Sequence, residues 1–132
     1  EDDIIANMAN ISSMIHQTFG FWWTGFYRAC GQELVLGPFQ GPLACSRIRF
    51  GRGVCGTAWK EAKTIVVPDV EQFPGHIACS SASRSEIVVP VFNECTTEVI
   101  AVLDIDSEKL NTFDQTDKEW LEKIVKLLEP NR

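Results

Sequence analysis

Residues 4–19 carry apolar side chains at Ile4, Ile5, Met8, Ile11, Met14, Ile15 and Phe19. Gaps of three and four put these on one helical face, and Gly20 breaks the pattern. Residues 21–28 are aromatic and predict a strand. Residues 29–32, with Gly31, predict a hairpin turn, and residues 33–36 the returning strand, ended by Gly37-Pro38. Residues 44–50 alternate weakly and suggest a third strand, with 51–53 as loop. Residues 54–62 predict a short helix with Val54, Ala58 and Ala62 on one face, and residues 64–67 a compact β-branched strand. Residues 68–85 form a long serine-rich stretch with two prolines. Loops of that length inside a domain tend to be functional. Residues 86–92 and 99–105 predict an antiparallel pair across a turn at 93–97. Thr112-Phe-Asp-Gln115 fits a capping box. The helix after it runs to about Leu128 on a stripe of Trp120, Leu121, Ile124, Leu127 and Leu128, and Glu129-Pro130 ends it.

Runs of antiparallel strands between terminal helices predict an α+β fold. One central antiparallel sheet, with the N- and C-terminal helices packed on one face, buries all these stripes. The 132 residues suit a single domain covering 1–132. At 45% hydrophobic and 23% charged the chain is too apolar for disorder. The net charge of −6, with no Lys/Arg cluster, disfavours nucleic acid and anionic membranes as partners. No apolar run approaches the roughly 20 residues of a membrane span. A cytoplasmic location is expected.

Five cysteines carry most of the chemical information: Cys30, Cys45, Cys55, Cys79 and Cys95. An odd count without a secretory signal argues against a disulfide framework. No two are spaced C-x-x-C, so neither a zinc ribbon nor a thioredoxin-type motif is expected, and no metal. Thiols held reduced, some of them reactive, fit better. A thiol attacks as thiolate, which a positive local field favours. Cys79 is the best nucleophile candidate, because the serine-rich turn after it offers backbone N–H groups to an anion. Cys45 opens a strand, and Cys55 lies in Gly51-Arg-Gly-Val-Cys-Gly56 near a helix N-terminus. Either suits a resolving thiol or a core cysteine. Cys30 and Cys95 sit in turns and are read as incidental.

Leu103-Asp104-Ile105-Asp106-Ser107 puts two carboxylates on one face of a strand end. Pairing with the neighbouring strand brings Glu86 beside them. Three acids in one place need a cation, a metal or shared protons. The run Phe21-Trp22-Trp23-Thr24-Gly25-Phe26-Tyr27 alternates in a strand. Trp23, Gly25 and Tyr27 can therefore line a pocket, opposite Trp22, Thr24 and Phe26.

These residues fall into an ordered series. It runs Gly37-Pro-Phe-Gln-Gly41 with Ala44-Cys45, Gly51-x-Gly-Val-Cys-Gly56, Val67-x-Asp-Val70, Phe73-Pro-Gly-His-Ile-Ala-Cys79, Ser83-x-Ser-Glu-Ile-Val88 and Leu103-Asp-Ile-Asp-Ser107. The series resembles the free methionine-(R)-sulfoxide reductases over nearly the whole chain. The resemblance implies a single GAF domain, a homodimer, and reduction of free L-methionine-(R)-sulfoxide with no bound cofactor. It implies Cys79 as nucleophile, Cys45 as its resolving partner and Cys55 as the family's third cysteine. Trp23, Tyr27, Glu86, Asp104 and Asp106 match substrate-pocket positions. The external reductant it implies is thioredoxin, coupled to NADPH. Two departures stand out: Ser80 occupies a position where the family usually has an acid, and the turn with Cys95 is longer than usual. A non-catalytic GAF module that binds a small ligand, or a cysteine redox sensor, is the rival expectation.

Overall fold

The computed structural model describes residues 1–76, 82–93, 95 and 97–128. The first helix, α1, spans Ile4–Phe19. Asp3 caps it by accepting from the Ala6 N–H, and Gly20 ends it in the left-handed region at φ 67°, a conformation glycine enters without a Cβ clash. The strands are β1 (Trp23–Cys30), β2 (Glu33–Gln40), β3 (Arg47–Arg49), β4 (Ile65–Val67), β5 (Ser85–Phe92) and β6 (Val99–Ser107). Helix α2 (Gly53–Glu61) lies between β3 and β4, and α3 (Gln115–Val125) closes the chain with a short 3₁₀ turn at Lys126–Leu128. The strands form one six-stranded sheet in the order β3-β2-β1-β6-β5-β4. Every described pairing is antiparallel.

The sheet sorts its side chains by the period of two. On one face Phe26 of β1, Ile87, Val89 and Val91 of β5, and Ala101, Leu103 and Ile105 of β6 are buried. They meet Met8 and Ile15 of α1 and Leu121 and Val125 of α3. Both terminal helices therefore cover the same face, as the α+β expectation requires. On the other face the intervening residues Trp23, Tyr27, Val88 and Val102 pack with Val54, Cys55 and Ala58 of α2. This second face is where the strands turn polar toward the β6 end. Among the described residues no helix is long and apolar enough to cross a membrane.

The third strand is shorter than expected, covering Arg47–Arg49 and leaving Cys45 in the loop before it, and β1 runs on through Cys30 into the expected turn. Two other differences have clear physical reasons. Gly37-Pro38 does not end β2; the strand runs on to Gln40. Thr24 pairs with Gln40, Gly25 with Phe39 and Tyr27 with Leu36, so Gly37 and Pro38 lie opposite Phe26 at a register shift. A bulge is where a sheet tolerates proline, because the ladder hydrogen bond is already interrupted. Nor does Thr112 cap α3. Asp114 does, accepting from Asp117 N, while the Asp117 side chain accepts from Asp114 N. The Thr112 hydroxyl instead bonds Ser107 Oγ at 2.7 Å and Lys109 O at 3.1 Å. The long loop also holds structure of its own, a 3₁₀ turn at Val70–Gln72 tied to the far end by Val70 N donating to Arg84 O.

Candidate active site

Three strands bring the site together by register alone. Glu86 of β5 pairs with Asp106 of β6, and Asp106 pairs with Trp23 of β1. The next row toward the β6 start is Val88, Asp104 and Gly25. The three acids thus converge on the face opposite the terminal helices. Cys55, in the first turn of α2, packs over them. Trp23, Tyr27, Cys55, Glu86, Asp104 and Asp106 all line one cleft, with His76 and Ser83 at its side. The cleft is open at its mouth and concave, with apolar walls and a few convergent polar groups, the make-up of a small-ligand pocket. Trp22, expected on the opposite face, precedes β1 and packs on the cleft-side cluster instead.

The aromatic wall is built by β1. Trp23 stacks on Tyr27 at 5.9 Å between ring centroids and on Phe39 at 5.2 Å. Gly25 between them makes this possible: a Cβ there would run into Phe39 and come within 2.7 Å of Trp23 Cη2. Both polar tips hold the loop that carries Cys45. Trp23 Nε1 donates to Pro42 O at 3.0 Å, and Tyr27 Oη donates to Cys45 O at 2.9 Å.

The floor is acidic and dry. Cys55 is 4% exposed, Glu86 5% and Asp104 6%. The ligand atoms of these three lie within 4.8 Å of one another. Burial pushes the Glu86 carboxyl well above the usual carboxylate range, and the charges of Asp104 and Asp106 push it further. Burial raises Asp106 strongly too, with Asp104 adding to it, against Ser83, whose Oγ donates to Asp106 Oδ1 at 3.2 Å. Asp104 is raised by burial and pulled partly back by hydrogen bonding to Glu86, Cys55 and Asp106. Its Oδ1 atom has no hydrogen-bond partner among the described residues. His76 Nε2 stands 4.0 Å from Glu86 Oε1 and, when protonated, offsets part of this charge. Such a floor holds its protons more tightly than free carboxyls do and welcomes a cation.

The cysteines separate by environment. Cys45 is disulfide-bonded. Cys30 and Cys95 are exposed free thiols. Cys55 is a buried free thiol, and burial followed by the charges of Asp104, Glu86 and Asp106 pushes it up, away from thiolate. Burial and the same acids raise the Tyr27 phenol as well. Cys79 and Ser80 lie outside the described residues. The sequence expectation did not place His76 and Ser83 in the pocket. The signal was present, since both stand in the quoted Phe73-Pro-Gly-His76 and Ser83-x-Ser-Glu86 segments.

Comparison with known proteins sharpens this picture. A GAF domain family model matches residues 3–129. The chain is 57% identical over 130 residues to GAF domain-containing protein A of Dictyostelium discoideum, covering 98% of this chain and 81% of that protein. It is 45% identical over 132 residues to the free methionine-R-sulfoxide reductase of Saccharomyces cerevisiae, covering 94% of this chain and 73% of the relative. It superposes with a TM-score of 0.94, at 55% identity, on free methionine-R-sulfoxide reductase from Neisseria meningitidis in complex with its substrate, covering 98% of this chain and 77% of that one. With an acid-floored, aromatic-walled cleft topped by Cys55 on this shared scaffold, the chain belongs to the free methionine-R-sulfoxide reductases, enzymes built on a GAF domain.

Proposed function

We propose that this chain reduces free L-methionine-(R)-sulfoxide to methionine, with Cys79 as nucleophile and Cys45 as resolving thiol. The observation that carries the proposal is the acid floor of buried Glu86 and Asp104 and half-buried Asp106 beneath the Trp23–Tyr27 wall. An ionised carboxylate there pairs with the substrate ammonium, and a protonated one faces the sulfoxide oxygen. A residue inside a protein has no free ammonium to offer, so the floor selects the free amino acid. The aromatic wall takes the thioether end.

The chemistry balances in three steps. Cys79 thiolate attacks the sulfoxide sulfur while the oxygen takes a proton from the acid floor. Methionine leaves and Cys79 becomes a sulfenic acid, the first reversible rung of thiol oxidation. Cys45 thiol then condenses with the sulfenic acid, forming a disulfide and releasing water. The disulfide-bonded state of Cys45 supports that role. An external dithiol, which we take to be NADPH-coupled thioredoxin in a reducing cytoplasm, returns both thiols by exchange. In this scheme Cys55, kept as a thiol by its acidic neighbours, donates a hydrogen bond to Asp104 and does not attack. Homodimer assembly is proposed on the family resemblance.

The test is NADPH consumption with thioredoxin, thioredoxin reductase and separate R and S epimers of free methionine sulfoxide. Turnover of the R epimer alone, abolished by Cys79→Ser, is the expected result. No turnover of either epimer by folded, reduced protein overturns the proposal in favour of a ligand-binding GAF module. Stoichiometric thiol oxidation without methionine release overturns it in favour of a redox sensor.

A further inference from the structure

The spacing of cysteines along the chain argues against a metal site, but the fold assembles a donor set that spacing cannot reveal. Cys55 comes from α2, Glu86 from β5 and Asp104 from β6, and their ligand atoms lie within 4.8 Å of one another. His76 adds an imidazole, its Nε2 4.0 Å from Glu86 Oε1. An independent feature points to a ligand. Asp104 is more than nine-tenths buried, lines the cleft, and leaves Oδ1 without a hydrogen-bond partner among the described residues. Buried acceptors are rarely left so.

We propose that Cys55, Glu86 and Asp104, with His76 as fourth donor, bind a divalent cation of the zinc class when the cleft holds no amino acid, and that this ion blocks the enzyme.

The donor chemistry selects the ion. One thiolate, one imidazole and two carboxylates suit zinc or cobalt; magnesium and calcium prefer oxygen alone. Zinc bonds of about 2.0–2.3 Å put tetrahedral neighbours roughly 3.5 Å apart. The Cys55, Glu86 and Asp104 donors already lie within 4.8 Å of one another, and His76, which stands outside that trio beside Glu86, swings in to complete the set. Two positive charges also offset the repulsion the carboxylates feel once both ionise. Coordination releases the Cys55 proton to solvent, since metals bind the thiolate. The competition with substrate rests on the proposed activity, because the ion takes the carboxylates assigned there to the ammonium. Cys55 separates the two ligands, since an ammonium pairs with the acids alone and the metal needs the sulfur as well.

The test is a cobalt(II) titration of the chain carrying Cys30→Ser, Cys45→Ser, Cys79→Ser and Cys95→Ser, in which Cys55 is the remaining thiol. Its fold is checked by near-ultraviolet circular dichroism. Should that variant unfold, the Cys30→Ser, Cys95→Ser chain in its disulfide form is titrated instead. A thiolate-to-cobalt charge-transfer band saturating at one ion per chain is expected, displaced by zinc and absent after Cys55→Ser. Losing even an outer-shell partner weakens metal sites by about 10–100-fold, so Glu86→Gln or Asp104→Asn should each weaken cobalt by at least about tenfold. Free methionine sulfoxide, which this variant does not consume, should bleach the band. A folded chain with no band, or a band indifferent to Glu86→Gln and Asp104→Asn, overturns the site. A band that saturating methionine sulfoxide leaves intact overturns the block. The proposed activity fails separately: a chain that shows the cobalt band but, with its cysteines restored, turns over neither epimer refutes the reductase assignment alone.

Discussion

Replacing Glu86 by glutamine removes a charge from the cleft floor at almost constant volume, and the structure says what that does to stability. Glu86 and Asp104 place ligand atoms within 4.8 Å of each other. If both ionise, they repel by roughly 3.5 kcal/mol at an effective dielectric constant of about 20. Burial and this repulsion raise the Glu86 carboxyl in the folded chain. A carboxyl whose folded value exceeds its unfolded one binds its proton more tightly when folded. Its contribution is fully present below the unfolded pKa, near 4.3 for a glutamate, and is lost as pH rises through the folded value. The wild-type chain, without substrate, should therefore lose stability from mildly acidic through alkaline pH. Glutamine has no proton to lose. At about pH 5 the variant should match the wild type within about 1 kcal/mol, and at alkaline pH, once both carboxyls of the wild type ionise, exceed it by roughly 3 kcal/mol or more. Urea unfolding followed by tryptophan fluorescence at each pH, in one redox state, reads the difference as a shift in midpoint. The same variant should lose affinity for free methionine sulfoxide. Equal destabilisation at every pH would refute the reasoning, because it would make Glu86 an ordinary buried partner and not a repelled charge.

Two further substitutions address the aromatic wall. Tyr27→Phe removes the 2.9 Å bond to the Cys45 carbonyl, at a cost of about 0.5–1.5 kcal/mol by thermal or urea unfolding. Because that bond steadies the loop of the resolving thiol, single-turnover methionine release should hold while steady-state turnover falls; equal loss of both would show that Tyr27 acts on substrate. Gly25→Ala drives a Cβ into Phe39 and toward Trp23 Cη2. It should cost about 1–3 kcal/mol as overpacking does and raise KM through displacement of the Trp23 ring, whereas an unchanged urea midpoint would show that β2 yields freely.

Much of the fold is legible because period does most of the work. The α1 stripe of Met8 and Ile15 and the α3 stripe of Leu121 and Val125 are buried where a helical repeat puts them. The β5 run alternates so that Ile87, Val89 and Val91 face the helices and Glu86 and Val88 the cleft. Antiparallel pairing across the 93–97 turn was enough to bring Glu86 to Asp106. What eluded the sequence depended on competition between local options. Gly37-Pro38 reads as a terminator, and only the opposing Phe26 makes it a bulge. Thr112 is a sound cap, and it lost to Asp114 because Ser107 and Lys109 took its hydroxyl. His76 and Ser83 belong to the cleft through a loop whose path no periodicity encodes.

The cleft face shows why the fold can host chemistry at all. A sheet covered by helices on one face needs apolar residues there, and Ala101, Leu103 and Ile105 supply them. The alternate positions of the same strand, Val102, Asp104 and Asp106, face α2 and the cleft. There the pattern moves from aliphatic to acidic within four residues. Placing carboxyls at positions a packed core would give to valine costs stability, since buried acids must hold protons or find a cation. That cost is repaid only when a cation arrives, so the free chain sits in a state its ligand relieves. An amino acid's ammonium relieves it through the acids, and a zinc-class ion relieves it through the acids and Cys55 together. Substrate affinity, the pH trend of stability and metal sensitivity should therefore move together in Glu86→Gln, while Cys55→Ser should abolish the metal response and change the other two less.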